Sequence, residues 1–464
     1  MKHRFFVFVP FLAQFLVLFL GCSNPSTPNS ADGKSSDATL SALSLSGGTL
    51  SPAFAADSTA YTASVGYGVS SITLTAKPTD SGATVAYSPS QTVSLPVGDT
   101  AITATVTAAD GTTTKAYSVT VTRAAFAVYI TGYTMTSVSA VEPGYWKNGT
   151  WTALSLPNSS SIGMSSAIAI SGGSVYIGGM VYDGSAYKTG YWKDNAWTSL
   201  PTNAGEPNYL IAIAVANGSV YAAGYQSTGS TSTAPLFWKD GVLTILPLGS
   251  YTAGRCVGIA VLNNDVYVAG YCNDSGTKNV PGYWKNGTWN VLPLPEEDSP
   301  YLPVTTDIAV SGGSVYIAGT YSKDGGAGYI SVPGYWKDGV WNALTPYVSG
   351  KSSSASAIAI ANGSVYVGGN CTISTGSCAV GYWKDGIWTS LIEQAKDSYI
   401  RDFAVYNGTV VACGGDQTAT TVETSPSSSS TTITEIGWYW DGKTKTTLLP
   451  DSAQQSYVYG IAAP

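Results

Sequence analysis

Few side chains in this sequence can do chemistry, and they are unevenly supplied. Its one histidine is His3, and its six cysteines are Cys22, Cys256, Cys272, Cys371, Cys378 and Cys413. Asp and Glu are scattered, with Glu296-Glu297-Asp298 the one acidic cluster. Glycoside hydrolysis needs two facing carboxylates, and no spacing in the sequence shows which acids converge. There is no glycine-rich phosphate loop and no Cys-x-x-Cys pair. Tyrosine is plentiful, at 31 residues, and its flat apolar ring and hydroxyl suit contact with protein or glycan. Tyr209, Tyr399 and Tyr457 each stand four residues before an aligned apolar strand residue (Ile213, Phe403, Ile461), while Tyr251, Tyr301 and Tyr347 occupy other connections. These six are the candidate ligand-binding residues; the competing reading is that they fill gaps between neighbouring sheets. The acidic cluster is read as a solvated loop or as a weak site for a cation or basic partner.

Lys2, His3 and Arg4 form a basic start ahead of a 16-residue apolar run, Phe5 to Leu20. That run is shorter than the roughly 20 residues a membrane-spanning helix needs, and the basic, apolar, small-residue order reads as a secretory signal peptide. Leu18-Phe19-Leu20-Gly21-Cys22 resembles a bacterial lipobox, with Phe19 where Leu is usual. The resemblance implies removal of residues 1–21 and lipid modification of Cys22. It implies an exported lipoprotein of the cell envelope, held to the outer membrane or cell surface by its N-terminal lipid. Such cleavage leaves 19 basic against 28 acidic residues, a charge of −9, and no histidine. Ser-His-Asp and Cys-His catalysis and every His-ligated metal site are then excluded. We expect no catalytic motif, no metal and no cofactor. The acidic balance without a basic stripe argues against nucleic acid. Residues 22–37 hold Ser, Asn, Pro, Asp and Gly with almost nothing apolar, a disordered tether.

These residues must be positioned by strands. Only 11% of residues are charged, while Gly is 52 and Trp 13, a composition suited to short strands and turns and not to a helical bundle. Residues 38–123 alternate apolar and polar over Ala53 to Val65, Ser71 to Ala76, Ala101 to Ala108 and Lys115 to Val121, between Gly- and Asp-containing turns. The opening LSALSLSGGTLSPAF and the closing TAADGTTTKAYSVTVTR closely resemble the bacterial cadherin-like β-sandwich repeat. The resemblance implies a small β-sandwich serving as a stalk or adhesion accessory. Asp57, Asp80, Asp99 and Asp110 stand singly, so no calcium ligand set is visible.

From residue 124 to 464 the chain repeats. A Val-Tyr pair recurs with its tyrosine at 129, 176, 221, 267, 316 and 366, then as Val410-Val411, at intervals of 45 to 50 residues. An aromatic-Trp pair ends at Trp146, Trp192, Trp238, Trp284, Trp336, Trp383 and Trp440. Each copy carries four strand signals, with Asn-Gly, Asp-Gly or Gly-Gly at its two-residue turns, the residues that type I′ hairpins demand. The Asn-x-Ser/Thr sites at Asn148, Asn217, Asn286, Asn362 and Asn407 are accordingly read as turns. The hairpin arithmetic places Trp146 opposite Trp151, Trp192 opposite Trp197, Trp238 opposite Leu243, Trp284 opposite Trp289, Trp336 opposite Trp341 and Trp383 opposite Trp388, a packing device and not a sugar-stacking ladder. The first copy lacks its first strand, and Tyr459 to Pro464 resembles the missing piece.

The expected fold is therefore all-β: a β-sandwich, then a seven-bladed β-propeller closed by a C-terminal strand. Long variable connections gather on one face, where binding residues collect. The leading functional reading is a monomeric, non-enzymatic, lipid-anchored adhesion or binding protein that recognises a protein or glycan. The alternatives are a glycan-acting hydrolase or lyase using Asp, Glu or Tyr, and a structural surface spacer. Cys371 and Cys378 bracket a six-residue loop and form the candidate disulfide. Bridging Cys256 to Cys272 requires a bulge, and Cys413 is read as a buried free thiol.

Overall fold

The computed structural model describes residues 33–137, 140–158, 162–202, 208–228, 232–273, 279–293, 304–326, 328–374, 377–395, 397–406, 408–425 and 428–463. Among them there is no helix, and the chain divides into two compact units, Met1–Ala124 and Ala125–Pro464.

In the first unit, Leu40–Leu45, Ser71–Pro78 and Thr92–Ser94 make a three-stranded sheet. A four-stranded sheet has the order Ala60–Val65, Thr114–Arg123, Gly98–Thr107, Thr84–Ser88, its first pair parallel. Alternation sends Leu74, Ile102, Ala104, Val106, Val119 and Val121 inward with no exposed surface. Tyr117 is equally buried, and its hydroxyl is satisfied there: it accepts Leu40 N–H at 3.1 Å and donates to the Ala56 carbonyl at 3.1 Å.

The second unit contains seven four-stranded antiparallel sheets among the described residues. The first is ordered Gln455–Ala462, Tyr129–Ser137, Ala140–Lys147, Thr150–Ala153, so its first strand comes from the C-terminal end of the chain. The other six each run in simple sequence order, beginning at Ile162–Ser171, Asn208–Ala216, Ala253–Leu262, Val304–Ser311, Ser353–Ala361 and Ser398–Tyr406. Each of these leading strands contacts the next, and Gln455–Ala462 contacts both Ser398–Tyr406 and Ile162–Ser171.

The turn chemistry does two jobs. Asn148, Asp240, Asn286, Asp338 and Asp385 take φ near +50° ahead of a glycine at +81° to +85°, which supplies the two left-handed residues of the hairpin. The same side chains then accept the backbone N–H that opens the second strand of their own sheet: Val128 to Asn148, Val220 to Asp240, Val266 to Asn286, Val315 to Asp338 and Val365 to Asp385, all at 2.8 Å. Asn217 and Asn362 also sit in turns with positive φ, while Asn407 lies outside the described residues.

The tryptophan register agrees with the hairpin arithmetic in all six pairs. The five Trp–Trp pairs hold ring centroids 4.4–4.5 Å apart. The partner tryptophan lies over a glycine: a Cβ on Gly144, Gly190, Gly282 or Gly334 would come within 2.2–2.6 Å of its ring. The seventh sheet departs from this plan. Its outer strand Lys445–Thr447 carries no tryptophan, and Trp438, at the position five other sheets give to glycine and the third to Leu236, is fully buried, while Trp440 is only half-buried.

Five of the six inner tryptophans also reach backwards along the chain. The Nε1–H groups of Trp192, Trp238, Trp284, Trp336 and Trp383 donate to the carbonyls of Ser155, Pro201, Pro247, Pro293 and Thr345 at 2.7–2.9 Å, each beyond the last strand of the preceding sheet. Every such tryptophan is therefore both core and fastener.

Deleting Ser456–Pro464 removes Val458 and Ile461 from a cluster that includes Ile130 and Trp146. Large-to-small losses of this kind cost on the order of 2–5 kcal/mol per side chain. With about 2–4 °C lost per kcal/mol in large domains, the melting temperature is expected to fall by more than about 10 °C. An unchanged melt would show the strand to be dispensable.

Candidate functional site

Every leading strand carries a β-bulge, and all seven bulges occupy the same register position. A bulge leaves one residue unpaired and re-aims its neighbours. The bulged residues are Ser166, Ile211, Val257, Thr306, Ser356, Arg401 and Tyr459, and all seven line one cavity of about 670 Å³. That volume lies within the range of small-molecule sites.

The internal repeat makes the departures visible. In the position after the bulge, five sheets carry Ala167, Ala212, Gly258, Ala357 and Gly460, while two carry Asp307 and Asp402. Both carboxylates tie sheets together. Asp307 accepts Ile308 N–H at 2.7 Å and, from the next sheet, Ile358 N–H at 2.9 Å. Asp402 accepts Phe403 N–H at 2.8 Å and Ile461 N–H at 2.9 Å. Burial raises both acids above the usual carboxylate range, and the charge of Asp307 raises Asp402 further, against the opposing pull of the donated N–H groups.

Around Arg401 the cavity wall becomes aromatic. The guanidinium lies 4.8 Å from the Tyr399 ring and 5.2 Å from the Tyr459 ring, and it donates to the Tyr399 hydroxyl at 3.3 Å. Tyr399 in turn donates to the buried Glu435 carboxylate, whose second oxygen accepts Gln417 Nε2 at 3.2 Å. Burial first, and then the bond to Glu435, pushes the Tyr399 hydroxyl well above the ordinary tyrosine value. Tyr133 stacks on Tyr457 at 4.8 Å and on Tyr459 at 5.8 Å.

The six candidate tyrosines separate. Tyr399 lines the cavity. Tyr457 belongs to the adjoining stack, its hydroxyl donating to Gln455 at 2.8 Å. Tyr209 stacks on Tyr225 at 4.9 Å, and Arg255 covers Tyr225 at 4.5 Å. Tyr251 and Tyr347 instead pack at the sheets' outer strands, against Trp289 at 6.5 Å and Trp388 at 6.2 Å. Tyr301, the Glu296-Glu297-Asp298 cluster and Cys22 lie outside the described residues. Sequence reasoning missed Arg401, Asp307, Asp402, Glu435 and Tyr459. The first three carried a signal, for each breaks a position that the other repeats give to small or uncharged residues.

The cysteine pairing requires correction. Cys371 stands opposite Ala379 and Cys378 opposite Thr372, so the two side chains leave opposite faces of the hairpin, and both are free thiols. At Cys256 the bulge is present, yet Cys256 and Cys272 are also free. Burial pushes the Cys272 thiol up to about 12. Among the described residues no group of three or more His, Cys, Asp or Glu is placed to hold a metal ion.

Residues 40–124 match the model of the cadherin-like β-sandwich domain family. Comparison with the curated proteins gives no match. Among solved structures, an ulvan lyase of polysaccharide lyase family 25 bound to -[GlcA(1-4)Rha3S]- aligns with TM-score 0.41 and 12% identity over 69% of this chain and 91% of its own. YCF48 bound to D1 peptide aligns with TM-score 0.37 and 12% identity over 61% and 89%. A thermostable family-43 glycoside hydrolase aligns with TM-score 0.30 and 11% identity over 52% and 93%. Likeness of this degree assigns no activity.

Because the folded-state values of Asp307 and Asp402 lie above the unfolded ones, the native state holds extra protons, and stability present in acid is lost as pH rises through the raised values. Thermal stability is expected to decline between about pH 4 and pH 7, by on the order of 1–3 kcal/mol. Asp402→Ala should flatten that slope and lower stability at every pH, since Ile461 N–H loses its acceptor. An unaltered slope would place the titration elsewhere. Alkylation of the unfolded, unreduced protein is expected to label Cys371 and Cys378 equally; a linked peptide pair would show that the hairpin shifts register.

Proposed function

We propose that Ala125–Pro464 is a seven-bladed β-propeller closed by Gln455–Ala462, and that it binds a protein or glycan ligand at its central cavity without altering it. The observation that carries this reading is the break in repeat symmetry at the bulged positions, where Arg401 and Tyr459 replace small or aliphatic residues and gather Tyr399, Tyr457 and Tyr133 around one side of the cavity. Aromatic rings backed by a guanidinium are what binding surfaces concentrate. The basic-apolar-Gly-Cys start supports export with a lipid on Cys22, and the cadherin-like sandwich suits a stalk between an envelope membrane and the propeller. No nucleic acid enters this reading, and the chain acts as a monomer.

One observation favours a second reading, a glycan-acting hydrolase or lyase. Two buried carboxyls, Asp307 and Asp402, line the same cavity and feel each other's charge, and the Tyr399 hydroxyl is held between Glu435 and Arg401.

The purified protein, applied to arrays of glycans and of envelope and host matrix proteins, is expected to give a signal that Arg401→Ala with Tyr459→Ala reduces at least about tenfold, as loss of two interface anchors should. A signal retained in that variant would move the site away from the cavity. Turnover of the bound glycan, abolished by Asp402→Asn, would establish the second reading.

A further inference from the structure

The chemistry of the cavity narrows what it accepts. Arg401 is the one cationic side chain lining it, and Arg255 is the only other arginine of residues 125–464. The ion pairs among the described residues are Lys188–Asp183, Lys285–Asp265 and Lys445–Asp416, so no carboxylate neutralises Arg401 within salt-bridge distance. Its exposed guanidinium rests against two tyrosine rings and donates once to the Tyr399 hydroxyl. The two rings hold the guanidinium in place while its remaining N–H donors are not used by the bond to Tyr399, which suits paired bonds to a carboxylate or sulfate oxyanion.

The nearest acids do not supply that oxyanion. Glu435 is occupied by Tyr399 and Gln417, and the oxygens of Asp307 and Asp402 already accept backbone N–H groups. The rest of the wall mixes isoleucines with the hydroxyls of Ser354 and Ser356, while Ser166 and Asn370 line it with their polar atoms bonded to the carbonyls of Leu210 and Ser398. A wall of isoleucines and serine hydroxyls, with one arginine held against tyrosine rings, fits a polyhydroxylated ring that carries a single negative group.

We infer that the cavity binds an anionic sugar, a pyranose bearing a carboxylate or a sulfate ester, with the anionic group seated on Arg401 between Tyr399 and Tyr459. The inference rests on the reading of the cavity as the binding site and specifies its ligand.

Calorimetric titration of the full-length protein tests it with four probes: an oligogalacturonate, its methyl ester with the same rings and no charge, a sulfated disaccharide and its unsulfated parent. Binding of the acid at least about tenfold tighter than its ester is expected for a charged hydrogen-bonded seat, and would identify a uronate. The same preference shown only for the sulfated sugar would identify a sulfate ester. Arg401→Gln should erase the preference while leaving the circular-dichroism melt in place. Ser356→Glu, which adds a negative charge to the wall while keeping Arg401, should weaken the charged probe more than the ester and so narrow the preference, which keeps the test alive if the arginine variant folds poorly. Equal affinity for acid and ester, or an Arg401→Gln variant that keeps the preference, would overturn the inference. Binding of neutral sugars or of a protein alone would overturn it too, while leaving the cavity as the binding site; loss of all binding on the arrays and here would remove both.

Discussion

The second unit hangs on one repeated contact, the inner tryptophan whose indole N–H reaches a carbonyl of the preceding sheet. A four-stranded antiparallel sheet buries too little by itself and leaves two edges open. The tryptophan answers the first need by filling the space against the next outer strand, with a partner tryptophan laid over a glycine. It answers the second by fixing the distance from one sheet to the one before it. Because this fastener recurs at a nearly constant interval, successive sheets are set against each other in the same way, and their leading strands come to share a cavity. The first sheet completes itself differently, by borrowing Gln455–Ala462 from the other end of the chain.

A repeat built this way has spare positions. The bulged residue of each leading strand lines the cavity and takes no part in the tryptophan fastening, although Ser166 also donates to the Leu210 carbonyl of the next sheet. Most sheets place Ser, Thr, Ile or Val there. The seventh and first place Arg401 and Tyr459, and the seventh also departs from the tryptophan plan, burying Trp438 where its outer strand offers no partner. Packing and site chemistry thus diverge from the repeat in the same part of the molecule.

The two aspartates show how a structural bond and a chemical property arise from one placement. Asp307 and Asp402 stand where Ala or Gly suffices elsewhere, and each uses its two oxygens to hold its own strand and that of the next sheet. The same burial that makes those bonds effective disfavours the charge, and the proximity of the pair adds to the cost.

Residue spacing alone determined the all-β class, the turn residues and the six tryptophan registers. All of these follow from contacts local in sequence, where a two-residue turn fixes which side chains face each other. Tertiary structure decided the rest. Tyr399 and Tyr457 join Arg401 and Tyr459 because strands more than fifty residues apart lie side by side, whereas Tyr251 and Tyr347, similar in sequence context, end at the outer strands. Cys371 and Cys378 fail to meet because a one-residue offset sends adjacent strand positions to opposite faces. Asp307 and Asp402, 95 residues apart in the chain, line one cavity and feel each other's charge only because the leading strands converge on it, and convergence is a property of packing that no local spacing encodes.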